Sequence, residues 1–388
     1  MNSIDPALIE QFRGKKFLFV LGHYRAMGGA ERQALILAEE LKQKVGCEIA
    51  FLAWASGPRI EAELKALDIP AYTFPLNWNR TGKLGHFFTL RRLAKFIRTE
   101  IKPDYLLPYI GFNCKIMGLI WRQCNARFTW WNQRDEGRDI YGSRIEHKVI
   151  RTVPSIVSNS FEGRDFLVRT FDMRPDEIEV INNGIRIPET SDRAIWRRKL
   201  NLPSDALLIT MMANLTGYKD HETLVRAFAK LRQTEIGKRS HLCLAGRFGD
   251  TTERLKVMGF EHNLCGHLHL PGAVHSADDL WAATDLAVHS SITEGCPNAA
   301  LEAMAHALAV CGTNISGMRQ AVGEKSCNVV LTDPRDEAEL FQIMHRLLAD
   351  NVERTALGEK NRARVEEHFN PLLLTETVLR QIQNKGLN

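Results

Sequence analysis

Short apolar runs that end in a glycine or a polar loop, each followed by a segment of helical spacing, recur in this chain in two separate series. Lys16–Gly22 is the first such run. A Gly-bearing loop leads from it through Gly29 into Glu31–Lys44, where Ala34, Leu35, Leu37, Ala38 and Leu41 share one side. Cys47–Ala53 is the next run, and the unit repeats through Ala71–Phe74, Tyr105–Leu107, Phe128–Trp130 and Val153–Ser158. Runs that are apolar on both faces are the mark of buried parallel strands, and helical crossovers cover such a sheet on both sides. Glu179–Gly184 is a strand entering a turn, and the polar stretch after it, with Pro188 and Pro203, places a linker near residues 183–190. A second series follows, with strands at Leu207–Met212, His241–Ala245, Leu286–Ser290 and Ala309–Thr313 and helices at His221–Gln233, Ala277–Ala283, Ala299–Ala307 and Glu337–Asp350. The expectation is an α/β protein of two Rossmann-like domains, a size that 388 residues suits. Parallel sheets bind ligands at the carboxyl ends of their strands, so two such domains facing each other make a cleft for a small molecule.

Composition narrows the classes. Apolar content of 44 % and charged content of 25 % fit a globular protein. No apolar run approaches the ~20 residues of a membrane helix. Met1–Gly14 has no apolar stretch of the signal-peptide kind, and the eight cysteines are scattered with no Cys-x-x-Cys pair. These features predict a cytoplasmic protein with reduced thiols and no zinc site. Residues 1–185 hold 27 Lys and Arg against 21 Asp and Glu, whereas the remainder holds 24 against 25. A basic first half is either an ordinary solvated surface or an attraction for an anionic partner such as a membrane. Lys83–Arg98 interleaves Phe87, Phe88, Leu90, Leu93, Phe96 and Ile97 with Arg91, Arg92, Lys95 and Arg98. It reads as a core-packed helix with a basic outer face, or as an amphipathic helix on the inner face of an anionic membrane. There is no nucleic-acid motif, so nucleic acid is not an expected partner.

The stretch His289-Ser-Ser-Ile-Thr-Glu294-Gly-Cys-Pro-Asn-Ala-Ala-Leu-Glu302 carries the most chemistry. A strand ends in a polar loop, and a helix begins near Pro297-Asn298. A helix N-terminus offers unpaired N–H groups and the positive end of a dipole, which suits a phosphate. Glu294 and Glu302 are acceptors that suit hydroxyl groups. Taken alone, the pair reads equally as one capping and one solvent-facing residue.

In context the stretch resembles the Glu-x7-Glu signature of glycosyltransferase family 4, the retaining transferases of GT-B fold, with Cys296 where an aromatic residue or Leu is usual. The resemblance implies two domains, 1–185 (with about 369–388 crossing back to it) and 186–368, the second holding a nucleotide-sugar donor. It implies that Glu302 binds the donor ribose, that Glu294 meets the transferred sugar, and that Gly295, Cys296, Pro297, Asn298 and Ala299 lie near sugar or phosphate. Lys219, in Ala213-Asn-Leu-Thr-Gly-Tyr-Lys219, matches the family's phosphate-binding Lys. Asn214 stands where the family has Arg, so the leaving group has one cation fewer unless Arg247, next to Gly246, or a basic residue of the first domain replaces it. Leu270-Pro-Gly272 matches the segment whose backbone meets the nucleotide base.

In the first half, Gly28, Gly29 and Glu31 match the family's Gly-Gly-x-Glu loop, although Glu31 also fits as a helix N-terminal charge. Asn159-Ser160 and Asn183-Gly184-Ile185 match the family after the last strand and at the hinge. The mid-domain His common in the family is absent, and Asn113 is the candidate polar group in its place. Arg134, with Asp135 and Glu136, is a candidate for acceptor contact, and a solvated loop explains it equally. His23 reads as an ordinary loop residue or as a phosphate contact. The resemblance implies transfer from a nucleotide-sugar, UDP by family frequency, to a glycan or lipid-linked acceptor in bacterial polysaccharide or glycolipid synthesis, with no cofactor and no metal. A nucleotide-sugar 2-epimerase of the same fold and a non-catalytic binding subunit stay open.

Overall fold

The computed structural model describes residues 3–76, 82–138, 140–189, 191–274 and 276–386, with Lys83 and Gly386 by their backbone. The chain forms two compact units, Met1–Gly184 with Pro371–Asn388, and Ile185–Asn370. The first holds seven strands: β1 (Lys16–Leu21), β2 (Glu48–Ala53), β3 (Ala71–Thr73), β4 (Tyr105–Pro108), β5 (Phe128–Gln133), β6 (Ser155–Ser158) and β7 (Glu179–Val180). They lie in the order β3-β2-β1-β4-β5-β6-β7 and pair in parallel. The second holds β8 (Leu207–Met212), β9 (Ser240–Ala245), β10 (Leu268–Gly272), β11 (Leu286–His289), β12 (Val310–Thr313) and β13 (Leu331–Thr332). Their order is β10-β9-β8-β11-β12-β13, again parallel. The apolar runs become strands because both faces are covered: Phe17, Leu18, Phe19, Val20 and Leu21 are all fully buried, as are Leu208, Ile209 and Met211.

Both sheets reverse their strand order at one place, between β1 and β4 in the first unit and between β8 and β11 in the second. At such a point the connections leave in opposite directions and open a crevice at the carboxyl ends of the strands. The loops after β8 and β11 therefore meet there, and these loops carry Lys219 and Glu294.

Several expectations shift at their edges. β5 runs on to Gln133, because Asn132 and Gln133 pair with Val157 and Ser158 of β6 and are buried despite their polarity. β10 contains Pro271, which cannot donate to a ladder. It is tolerated because β10 is an edge strand whose register breaks between His269 and Gly272. The unit boundaries fall after Gly184 and after Asn370. Ile185 and Phe369 lie in the core of the second unit, with Ile185 N–H donating to the Phe369 carbonyl at 2.6 Å. The last helix, Pro371–Gly386, packs Leu374, Val378, Leu379 and Ile382 into the core of the first unit. Gly184 is clamped there by both ends of the Gln33 amide, at 2.9 and 2.8 Å.

Three histidines stack where β9 meets β10. His241 Nδ1 lies 3.1 Å from His269 Nε2, and the His241 and His267 ring centroids are 4.5 Å apart. Burial, then the neighbouring His267 and His269, push His241 down to about 4, and His267 and His269 are lowered in the same direction. An unfolded histidine titrates near about 6.5, so between that pH and about 4 the unfolded chain takes up protons that the folded unit refuses. Stability therefore falls as pH falls through this window. The melting temperature of the second unit is expected to drop on acidification from neutrality, and His241→Gln is expected to flatten the slope. Melts followed by circular dichroism across pH check this, and equal slopes in both proteins would contradict it.

Candidate active site

The loop after β8 runs through Ala213–Thr216 into a tight turn at Gly217–Lys219, and Asp220 then caps the helix His221–Leu231. The loop after β11 runs from Ser290 to Pro297, the N-cap of the helix Asn298–Ala305. Hydrogen bonds knit the two loops together. Ile292 N–H donates to the Tyr218 carbonyl at 2.9 Å, and the Ser290 hydroxyl reaches the Lys219 and Asp220 carbonyls at 3.2 and 3.0 Å. Thr313, at the end of β12, donates to the Ser291 carbonyl at 2.5 Å. Gly317 is obligatory beneath them, since a β-carbon there would lie 2.3 Å from the Gly295 carbonyl oxygen.

This framework brings Lys219 and Glu294 into a direct ion pair, with side-chain exposures of 13 % and 12 %. Glu294 also accepts from His289 Nε2 at 3.2 Å and from the Ser291 hydroxyl at 3.0 Å. Burial pushes the Glu294 carboxyl up, but the Lys219 ammonium and the His289 hydrogen bond outweigh it and hold the group well below the usual carboxylate range. His221, in the first turn of the following helix, is buried, and desolvation with the Lys219 and His289 charges pushes it down to about 3. The site thus holds an ionised carboxylate, an ammonium and a helix N-terminus within one pair of loops.

Other candidate donor residues lie on the same unit. Asn214 accepts from Arg247 N–H at 3.3 Å and from its Nε at 3.4 Å, so the exposed Arg247 stands beside Asn214. A β-carbon on Gly246 would lie 1.9 Å from the Ala213 carbonyl oxygen, which excludes any side chain. Gly272 has φ +78° and its carbonyl accepts from Gly246 N–H at 2.9 Å, while Leu270 is half-buried on edge strand β10. Cys296 and Gly295 are buried, Asn298 and Ala299 half-buried, and Glu302 sits half-buried on the helix that Pro297 caps.

In the first unit the outcome is different. Gly28 N–H donates to Glu31 at 3.0 Å, so Glu31 caps its own helix, Gly29–Glu40, while Gly29 is exposed. Asn113 does not present a free amide: it is 1 % exposed, accepts from Trp54 Nε1 at 2.7 Å and donates to the Tyr109 carbonyl at 2.6 Å. The expectation of an acceptor-facing Asn113 is corrected to an internal tie. Arg134 reaches Asn183 at 2.7 Å and lies over the Tyr109 ring, tying the segment before Gly184 rather than projecting from a solvated loop. His23 is exposed. His289 and Ser291 were not among the predicted site residues. Their signal was present: residues two apart at an extended strand end share a face.

Two family models match, Glycosyltransferase Family 4 over residues 27–187 and Glycosyl transferases group 1 over residues 192–364. The chain belongs to glycosyltransferase family 4. Among curated relatives, the chain is 25 % identical over 214 residues to a D-inositol 3-phosphate glycosyltransferase of Streptosporangium roseum, covering 52 % of this chain and 49 % of that one. A lipopolysaccharide core biosynthesis glycosyltransferase, LpsE, of Rhizobium meliloti is 26 % identical over 209 residues, 54 % of this chain and 58 % of that one. The chain thus spans about half the length of these relatives. Anabaena Alr3699/HepE, solved with UDP and glucose, superposes with a TM-score of 0.81 at 18 % identity, over 95 % of this chain and 100 % of that one. WaaG, a glycosyltransferase of lipopolysaccharide biosynthesis, gives 0.68 at 15 %, over 94 % and 98 %. The fold of this family 4 chain is therefore GT-B, with two Rossmann-like halves.

Breaking a largely buried ion pair by removing one partner strands the other. Lys219→Ala is expected to destabilise the second unit by about 2 kcal/mol, discounted from the roughly 3–5 kcal/mol of a fully buried pair because water reaches part of each side chain. Lys219→Ala with Glu294→Gln is expected to recover much of that loss. Since the Glu294 carboxyl is held low, its contribution is complete above about pH 4.3 and is lost only as pH falls through the lower folded value. Urea unfolding of the single and double variants near neutral pH checks the coupling.

Proposed function

We propose that this chain is a retaining glycosyltransferase that moves a sugar from a nucleoside-diphosphate donor, foremost a UDP-sugar, to a glycan or lipid-linked acceptor in bacterial polysaccharide or glycolipid synthesis. The observation that carries the reading is the Lys219–Glu294 pair at the switch point of the second sheet, beside a helix N-terminus. An ammonium and helix N–H groups suit a diphosphate, and a carboxylate suits sugar hydroxyls. The names of the curated relatives and the UDP and glucose bound by Anabaena HepE support the same substrate class.

In this reading Lys219, with Arg247 in place of the missing Arg at Asn214, neutralises the diphosphate as it departs. The backbone from Gly295 to Asn298 lies along phosphate and sugar, Glu302 takes the ribose, and Glu294 takes the transferred sugar. The bond from the anomeric carbon to phosphate breaks, and the bond to the acceptor oxygen forms on the same face. The acceptor proton passes to the departing phosphate oxygen. In this reading Lys219 and Arg247 supply the cationic charge that the departing diphosphate needs. The test is a thermal-shift panel of UDP-glucose, UDP-galactose, UDP-N-acetylglucosamine and GDP-mannose. One of these is expected to raise the melting temperature, with the gain largely lost in Lys219→Ala and Glu302→Ala. An unchanged gain in both variants would remove the assignment.

We also propose that the helix Lys83–Phe96 rests on an anionic membrane surface at its cytoplasmic face. Leu84, Phe87 and Phe88 are 77 %, 51 % and 61 % exposed, while Leu93, Ala94 and Ile97 hold the other side of the segment in the core. Arg91 lies over the Phe87 ring, and Arg92, Lys95 and Arg98 continue the basic face. No described helix is long and apolar enough to cross a membrane, so contact would be peripheral. Phosphatidylglycerol vesicles are expected to sediment the protein and phosphatidylcholine vesicles to leave it in solution, with Phe87→Ser/Phe88→Ser abolishing the difference. Equal sedimentation of both proteins would refute the contact.

A further inference from the structure

Three donors meet on one oxygen of Glu294. Oε1 receives the Lys219 ammonium, His289 Nε2 at 3.2 Å and the Ser291 hydroxyl at 3.0 Å. Among the described residues no hydrogen bond is made to Oε2. His289 and Ser291 are 3 % and 0 % exposed and touch each other at 3.1 Å. Their backbone is fixed from behind: Thr313 holds the Ser291 carbonyl at 2.5 Å, and a β-carbon on Gly312 would lie 2.1 Å from the His289 carbonyl oxygen. With its proton on Nε2 the imidazole donates to Oε1, and the Ser291 hydroxyl donates to the same atom.

A diphosphate competes with Glu294 for the Lys219 ammonium. On the reading proposed above, on which this inference rests, the ammonium turns to phosphate when donor binds. The carboxylate then loses its strongest partner while it stays out of water, a situation that is costly unless other donors remain. We propose that His289, backed by Ser291, is the positioning residue that holds Glu294 in place through this exchange, anchoring Oε1 so that Oε2 accepts a hydroxyl of the transferred sugar. The arrangement carries a specificity consequence. A free nucleoside diphosphate draws Lys219 away and returns nothing to Glu294, whereas a sugar nucleotide fills Oε2. The clamp therefore favours the loaded donor over the spent nucleotide and eases release of the latter.

The test compares the sugar nucleotide selected by the panel above with its own nucleoside diphosphate, by calorimetric titration of wild type, His289→Ala, His289→Gln and Ser291→Ala. In His289→Ala the affinity for the nucleoside diphosphate is expected to hold within about twofold while the sugar nucleotide's advantage falls about tenfold, the effect of one hydrogen bond to a charged group. His289→Gln, whose amide can donate, is expected to restore most of that advantage, and Ser291→Ala to lose part of it. Steady-state transfer is expected to follow the same order in kcat. Melting curves establish that each variant folds, and if His289→Ala does not, Ser291→Ala and His289→Gln carry the comparison. A full sugar advantage retained in the folded variants, or an equal loss for both ligands, overturns the positioning role. Failure of wild type to bind any nucleotide overturns both this role and the donor-site reading, whereas wild-type binding with unaltered variants overturns this role alone.

Discussion

Lys219 and Glu294 come from loops 75 residues apart, and they meet because β8 and β11 are neighbours at the place where the second sheet reverses its strand order. Taking two charges largely out of water is expensive, and apolar residues of like volume would commonly serve stability as well or better. The pair is therefore poorly explained as a device for stability. On the function proposed above, it is charge held ready for a ligand that offers a phosphate to one partner and hydroxyls to the other. The surrounding loops are built to keep it: Ser290 ties the Lys219 turn to the end of β11, Thr313 fixes Ser291, and Gly317 lets a neighbouring helix approach the Gly295 carbonyl.

The two units use the same architecture differently. At the switch point of the first unit, the Gly28 amide is satisfied by its own Glu31 and Asn113 is spent on Trp54 and Tyr109. Arg134 is spent on Asn183 and Gln33 on Gly184, so the polar side chains there brace the unit's own backbone. At the switch point of the second unit, polar side chains converge on one carboxylate instead. That contrast sets the polar side chains of Ile185–Asn370 apart on physical grounds that do not depend on motif matching.

Much of this was legible in the order of residues. Strands such as Leu207–Met212 declare themselves because burial on both faces demands uninterrupted apolar side chains. Glu294 and Lys219 stood out through the family resemblance, and the fold brings the two side chains together. β10 was not, since Pro271 breaks the expected pattern and only its place at the sheet edge makes it tolerable. Asn113 was misread because an amide in a loop-to-helix turn looks available until its partners, Trp54 and Tyr109, are known to fold against it. Such partners are distant in sequence or hidden in backbone, and no spacing rule exposes them.

The substitution at Asn214 shows how packing redistributes charge that a linear comparison counts as lost. Read along the chain, the family resemblance puts an Asn where an Arg is expected, one cation fewer. In the fold, Gly246 lets β9 press against Ala213, and this close approach brings Arg247 onto the Asn214 side-chain oxygen. The guanidinium is exposed and always charged, so Asn214 acts as a bracket for a cation supplied by the neighbouring strand. Lys219, by contrast, is paired with Glu294 Oε1. The two positive groups are thus differently engaged: Lys219 is paired with a carboxylate, and among the described residues the Arg247 guanidinium is held by the neutral Asn214 amide. Among the described residues Arg247 has no ion pair to break, whereas an anion that takes Lys219 must take it from Glu294.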